Sequence, residues 1–343
     1  MNLEQNIQKQ GLDSLRTEIE LKKHWPSADA EPLVSVVCMC YNHEDYIEET
    51  LCSFFIQETS FSFEVLVHDD ASTDRSAAII SRFQARYPSI IRTIYQNDNQ
   101  YSQGRPQGSE TREKCRGRYI AMCEGDDYWI YANKLQRQFD VLEARPEVSM
   151  CFHAAYQEDM KSGNHLEKIC MHSTNDCYIS LKQMILGGGG YCPTNSLFFR
   201  KDAVSNMPKF MRECPVGDAA IQLACAIYGR IYYLPLAMSV YRLNVSGSWT
   251  DRMRLDCIAR LKHAAQILSF YRDLNIYLED KYKYIIRAKV IRNLFLEGVS
   301  LGTSGVAYQV IYSELRRVQL GICPGKILIF IGVVFGSMRQ KIR

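Results

Sequence analysis

Three groups of carboxylates stand out in the 343-residue chain: Asp69 with Asp70, the run Glu124, Gly125, Asp126, Asp127, and Asp218. Mg²⁺ and Mn²⁺ prefer oxygen ligands and usually share their shell between one or two carboxylates and the phosphates of a substrate. Asp126 and Asp127 supply such a pair. Adjacent residues at a strand end point to opposite sides, so one carboxylate can face a metal and the other a ribose hydroxyl. Gly125 would let the backbone come close to a ligand. The same residues would equally make a solvated turn with Asp127 capping a helix, and their meaning depends on what surrounds them. Glu124 receives no role.

The elements that position these groups recur in a rhythm. VSVVCMC, from Val34 to Cys40, is nearly continuous in apolar residues, as expected of a strand covered on both faces in a parallel sheet. Asn42 then reads as a helix cap, with Ile47, Leu51, Phe54 and Phe55 forming one helical face. Phe63 to Val67 is a second strand, His68 to Thr73 a polar turn, and Ile79, Ile80, Phe83 and Tyr87 the buried face of the next helix. Ile90 to Tyr95 is a third strand. A polar stretch from Asn97 to Arg116 precedes a strand from Tyr119 to Cys123, which ends directly at Glu124. A helix around Leu135, Phe139 and Leu142, a strand from Val148 to His153, a mobile loop holding Gly187 to Gly190 and a strand from Thr194 to Phe199 follow. A helix from Asp218 and a strand from Ile231 to Leu234 complete the pattern. This alternation predicts an α/β domain with a mostly parallel sheet flanked by helices. Ligands in such domains lie at the carboxyl ends of the strands, and the acidic groups fall at strand ends or their flanking loops. We divide the chain into a polar lead (1–31), a catalytic domain (32–250) and a basic C-terminal helical region (251–343).

Composition narrows the function. The net charge is +3, from 41 basic and 38 acidic side chains, and the basic ones form no stripe of the kind that binds nucleic acid. The 13 cysteines include no CxxC pair and several lie in apolar runs, the pattern of reduced, buried thiols in a cytoplasmic protein. The first 25 residues lack the apolar stretch of a secretory signal. Ile327 to Phe335 is apolar, but a spanning helix needs about 20 such residues. With Lys326, Arg339, Lys341 and Arg343 around it, this tail fits either a segment lying on an anionic membrane surface or a helix docked on the domain. His153, His165, Cys170, His172 and Cys177 match no standard zinc spacing. A nicotinamide dehydrogenase would need glycines in the first turn, where Tyr41, Asn42, His43 and Glu44 stand.

Four blocks carry a resemblance. PLVSVVCMCYN (Pro32 to Asn42), VHDDASTD (Val67 to Asp74), GRYIAMCEGDDYW (Gly117 to Trp129) and VGDAA (Val216 to Ala220) are similar, in content and order, to family 2 glycosyltransferases of the GT-A fold. The resemblance covers roughly Pro32 to Arg242. It implies a donor site for a nucleotide-diphosphate sugar, a UDP-sugar first among them, in which Asp70 bonds the nucleobase and Asn42 and the backbone near Tyr41 line the pocket. It further implies that Asp126 meets the ribose, that Asp127 holds Mn²⁺ or Mg²⁺ on the diphosphate, and that Asp218 is the base that deprotonates an acceptor hydroxyl with inversion. The acceptor would be a glycan or a lipid-linked saccharide in bacterial surface polysaccharide assembly (capsule or O-antigen).

The other expectations attach to particular residues. Arg242 would meet the diphosphate or a buried carboxylate; Ser246 to Trp249 after it resemble the loop that follows the last core strand. Trp129 and Tyr128 would stack on a sugar or pack beneath the turn. Asp218 doubles as a helix N-cap, which would lower its basicity, and Asp74 reads as a helix-start residue. CMCYN, His68 and Ala71 depart from the family's usual residues, which leaves base and sugar open; a structural hydrogen bond is the expectation for His68. A metal-dependent sugar nucleotidyltransferase and a non-catalytic assembly protein at a membrane are the rival readings. The first would show a glycine-rich basic loop after the first strand, and the second would not need all of Asp70, Asp126, Asp127 and Asp218.

Overall fold

The computed structural model describes residues 11–104, 107–162, 166–245 and 257–301. Among the described residues twelve strands form two sheets. The larger has the order β3-β2-β1-β4-β10-β6-β11-β9, with β1 Val34–Cys40, β2 Phe63–Asp69, β3 Ile91–Tyr95, β4 Tyr119–Met122, β6 Val148–His153, β9 Cys177–Ile179, β10 Phe198–Arg200 and β11 Arg230–Leu234. β3, β2, β1 and β4 run parallel, while β10 is antiparallel to both its neighbours and β9 is antiparallel to β11. The smaller sheet, β5-β12-β7-β8, comprises β5 Tyr128–Trp129, β7 Ala155–Asp159, β8 Leu166–Ile169 and β12 Ser239–Leu243.

The alternation of side chains along a strand sends β1 into two cores. Val36, Cys38 and Cys40 enter one cluster with Leu51, Phe54, Phe83 and Leu142. These come from the helices α1 Ile47–Phe55, α2 Ser76–Arg86 and α3 Lys134–Ala144. Val37 enters the other cluster, with Ile221, Leu268 and Val290 from α5 Gly217–Tyr228, α6 Cys257–Tyr277 and α7 Lys283–Leu301; α4 is Leu181–Gly187. The expected reduced thiols are in place: Cys38, Cys40, Cys123 and Cys151 are free and buried.

Several sequence expectations need correction. The polar stretch after β3 contains a helix, Gln107–Glu113, and the strand expected from Thr194 begins only at Phe198 after a 3₁₀ turn, Thr194–Ser196. Gly187 closes α4, Gly188 and Gly189 make a packed turn behind it, and Gly190 is exposed. A Cβ on Gly187 would fall 2.1 Å from the Tyr191 ring, and Gly188 adopts φ +69°, a conformation that favours glycine. Among the described residues no helix is long and apolar enough to cross a membrane. The tail from Lys326, the Ser246 to Trp249 segment and His165 lie outside the described residues.

At the amino ends of the strands, away from the acidic groups, Glu64 ties the sheet together. Its carboxylate accepts from Ser35 Oγ (2.7 Å), the Arg116 amide (2.7 Å), Arg116 Nε (2.8 Å) and Arg92 Nη1 (2.9 Å). Burial works against the charge, but the bonds from Arg116, Ser35 and Arg92 outweigh it and hold the carboxyl below its usual range. Glu64→Gln is expected to cost about 2–4 kcal/mol at pH 7, because two guanidinium groups lose their counter-charge. A depressed folded pKa gives stability above the unfolded value, near 4.3, that disappears as pH falls through the folded one. In urea titrations the deficit of Glu64→Gln should therefore shrink towards pH 3; an equal deficit at pH 7 and pH 3 contradicts the role given to the charge.

Candidate functional site

The carboxyl ends of β1 and β2 are clipped to each other. Asn42 does not cap a helix, since α1 starts five residues later behind Tyr46. It takes φ 55°, donates its amide to Ser72 Oγ (2.9 Å) and accepts from the Thr73 amide at Oδ1 (2.7 Å). Tyr41, half-buried, sits between this clip and the end of β1. Ala71 also holds a left-handed φ of 62°, which is where a glycine would be unstrained. Asp74 acts at a helix start, accepting the amides of Ser76 and Glu44 at 2.9 Å each. Asp70 is buried and accepts the amides of Gln100 (2.8 Å) and Tyr101 (3.1 Å), which draws the segment after β3 over the strand ends. His68 Nδ1 lies 2.6 Å from the Thr111 hydroxyl, a structural bond.

The turn after β4 is held from below. The Gly125 amide donates to Met39 O (2.8 Å), and the Thr50 hydroxyl lies 2.9 Å from Gly125 O and 2.7 Å from Asp127 O. Glycine is needed here for a reason other than ligand approach: a Cβ would fall 2.8 Å from His43 Nδ1 and 3.1 Å from Met39 O. The two aspartates diverge, as adjacent residues should. Asp127 is 1% exposed; its Oδ1 accepts the Arg242 amide (2.9 Å) and its Oδ2 accepts Asn195 Nδ2 (3.1 Å). Burial, then the charges of Asp126 and Glu124, push its carboxyl well above the usual range. Asp126 is half-buried, with His43 Nε2 at 3.9 Å. Glu124, unassigned in the sequence, is half-buried too, and burial followed by the charges of Asp126 and Asp218 raises it to about 8. The outward carboxylates are thus Asp126 and Glu124, and Asp127 holds the turn.

Of the two roles expected for Arg242, the diphosphate or a buried carboxylate, the structure shows the second. Its Nη1 donates to Asp126 O (2.8 Å), its Nε to Glu158 (3.3 Å) and its Nη2 to Glu49, so every face of the guanidinium is engaged by the protein. It also lies over the Tyr128 ring, 4.4 Å from the centroid. Trp129 packs beneath the turn, donating Nε1 to Asn195 O (2.9 Å), with Lys134 Nζ 3.9 Å from its ring centroid. Asn195, between Thr194 and Ser196, and Thr50, after Glu48 and Glu49, carried no sequence signal that set them apart from their polar neighbours.

Asp218 lies in the first turn of α5 behind Val216 rather than at the cap. Its Oδ1 accepts the Ala219 amide (2.8 Å) and its Oδ2 the Thr194 hydroxyl (3.4 Å). Burial outweighs these bonds and raises the carboxyl above its usual range, the reverse of the lowered basicity expected of a cap. Tyr241 shows that the carboxylates converge: its phenol is pushed up by burial, then by Glu124, Asp127, Asp126 and Asp218. Among the described residues no three His, Cys, Asp or Glu side chains are grouped closely enough to hold a metal ion by themselves. A divalent ion here would draw one or two ligands from the turn and the rest from diphosphate oxygens and water, which is ordinary for Mg²⁺.

Comparison with known proteins identifies the family and the fold. Residues 35–206 match the model of glycosyl transferase family 2. An uncharacterized protein of Mycobacterium tuberculosis is 33% identical over 228 residues, 64% of this chain and 63% of its own length. TuaG of Bacillus subtilis, named for teichuronic acid biosynthesis, is 31% identical over 159 residues, 46% of this chain and 60% of its own. The chain thus spans about three-fifths of the length of these relatives. Among solved structures, S. aureus TarS bound to UDP-GlcNAc superposes with a TM-score of 0.61 at 17% identity, over 83% of this chain and 80% of that one. Mannosyltransferase PcManGT of Pyrobaculum calidifontis, with GDP-Man and Mn²⁺, gives 0.53 at 16% identity over 93% and 87%.

The division of labour in the turn has a direct consequence. Asp127→Ala leaves the Arg242 amide without its acceptor and Asn195 Nδ2 with Val240 O alone, and should lower the unfolding free energy by about 2–4 kcal/mol. Asp126→Ala should stay within about 0.5 kcal/mol of wild type. Equal loss in both variants, measured by denaturant unfolding, would sink the assignment.

Proposed function

Since the chain belongs to glycosyl transferase family 2 and has the GT-A fold, we propose that it moves a sugar from a nucleotide-diphosphate donor to a hydroxyl of a saccharide acceptor in bacterial surface polysaccharide assembly. The observation that carries this reading is the convergence of Asp126 and Glu124 with Asp218 around Tyr241. The relatives' names and the nucleotide sugars bound by TarS and PcManGT support it. Residues 32–250 form the catalytic unit in this reading, working at the cytoplasmic side of a membrane.

The donor nucleotide lies over the ends of β1 and β2, with Tyr41, Asn42 and the Asp70-anchored segment lining the base. Asp126 and Glu124 serve ribose and metal between them. Asp127, first expected to be the metal ligand, is the residue that aims them and joins the shell only by exchanging its bonds to Arg242 and Asn195. A divalent ion, when bound, supplies positive charge against the departing diphosphate. Asp218 accepts the proton of the acceptor hydroxyl while its oxygen bonds to the anomeric carbon. The bond from that carbon to the diphosphate oxygen breaks, its electron pair leaves with the nucleotide, and single displacement inverts the centre.

Asp218→Asn should lower kcat for transfer by roughly 10²–10⁴ and leave nucleotide affinity within about twofold. The base must be ionised, so wild-type activity falls as pH drops through its folded pKa, which burial holds above the ordinary 3.9 or so. Steady-state rates across pH 4 to 8 read both effects; full activity in the variant would remove Asp218 from the chemistry.

A further inference from the structure

Between the Gly188–Gly189 turn, the start of α5 and the helices α6 and α7 lies a cavity of about 210 Å³. It is separate from the acidic cleft, since none of Glu124, Asp126, Asp127 and Asp218 lines it. Val216, Ile267 and Leu268 give it an apolar wall. Two polar side chains of the lining are more than nine-tenths buried: Lys289 of α7 is 7% exposed and Tyr271 of α6 is 3% exposed. Lys289 Nζ donates to Gly187 O at 3.1 Å, which occupies one of its three donors. No carboxylate pairs with it among the described residues, and burial, then the charge of Arg292, lowers it to about 8. The Tyr271 hydroxyl makes no hydrogen bond to any described residue, and burial, then Cys214, raises it.

Both groups converge on Gly188. A Cβ built there would fall 2.6 Å from Lys289 Nζ and 3.6 Å from the Tyr271 hydroxyl. Ammonium and hydroxyl therefore stand at most about 6 Å apart, an interval that one carboxylate bridges with two ordinary hydrogen bonds. A buried ammonium in apolar surroundings is costly without an anion, and a buried phenol is costly without an acceptor. A single carboxylate satisfies both. With one positive charge to balance, the fitting ligand is a monoanion, because a dianion would bring an uncompensated charge into the same apolar wall. Space sets the size: a dry apolar cavity of about 150 Å³ holds benzene, so this one has room for a ring or chain of about six carbons. We propose that the cavity is a binding site for a small apolar monocarboxylate, its oxygens on Lys289 Nζ and the Tyr271 hydroxyl and its hydrocarbon body against Val216, Ile267 and Leu268. Such a ligand is held jointly by α6, α7 and the glycine turn, so it fastens the C-terminal helices to the α/β body and stabilises the fold when bound.

Thermal denaturation and calorimetric titration of the full chain with hexanoate, hexanol, acetate and hexyl phosphate test this, with no nucleotide or metal present. Hexanoate should raise the midpoint and bind at least tenfold more tightly than each of the other three. Lys289→Met keeps the stem and removes the charge. Without ligand it should unfold no lower than wild type, because an unpaired buried charge is gone, and it should lose at least tenfold in hexanoate affinity. A lysine present only to hold Gly187 O would instead give a lower midpoint in Lys289→Met and a wild type indifferent to hexanoate. Tyr271→Phe, which deletes one oxygen and keeps the ammonium, should lose about three- to tenfold and gives the answer if Lys289→Met does not fold. The site is overturned if hexanoate does not bind wild type, if hexanol, acetate or hexyl phosphate equals it, or if its affinity survives either substitution. The acidic cleft plays no part in these readouts, so they stand whether or not the chain transfers a sugar.

Discussion

Burying the carboxylate of Asp127 is the constraint around which the site is built. A carboxyl group taken out of water is unfavourable unless its oxygens are hydrogen-bonded, and here the acceptors are met by the Arg242 amide on β12 and by the Asn195 side chain before β10. Asn195 in turn donates to Val240 O and accepts from Ser239 Oγ and, at its carbonyl, from Trp129 Nε1. One side chain thereby joins the end of β4 to the second sheet. Asp126, the next residue back, has no choice but to face outward.

The charges around the turn follow from that anchoring. Arg242 lies within reach of Asp126 O, Glu49 and Glu158, so its positive charge braces the floor of the cleft instead of lining it. The cleft itself is left rich in carboxyl groups that resist ionising together, with Glu124 raised to about 8 and Asp218 raised as well. Like charges gathered in a half-buried space are unfavourable by themselves. In the proposed reaction they would become favourable when a divalent cation and a nucleotide diphosphate arrive together, because the cation would offset both partners. An acidic cleft of this kind suits a metal-bridged donor and repels the bare nucleotide.

The sheet was legible in the sequence because its physics is local. β1 was found to the residue from a continuous apolar run, and the acidic groups were found at the strand ends because polar residues interrupting such runs have nowhere else to go. What failed was non-local. Nothing in the residues near Asn42 says that its side chain reaches Thr73 rather than its own helix, and Arg242 meets Glu49 only across 193 positions of chain. The hairpin β7 with β8 escaped because its strands are half-exposed and polar, without the period that marks a buried strand. Glycines 187 to 189 were visible, but their cause was not: they make room for Tyr191, Lys289 and Val216, contacts that a sequence does not display.

The central claim is that the outward carboxylates bind a nucleotide sugar through a divalent ion, and ligand-induced stabilisation tests it most directly. A ligand that binds only the folded state at about 100 times its Kd adds about 2.7 kcal/mol to the unfolding free energy. Thermal denaturation of the full chain with UDP-, GDP- and dTDP-sugars, each with and without Mn²⁺, reads this as a rise in midpoint. The account predicts that one nucleotide class raises the midpoint clearly with Mn²⁺ present and little or not at all without it. No shift with any nucleotide sugar, or the same shift with and without the metal, would contradict it.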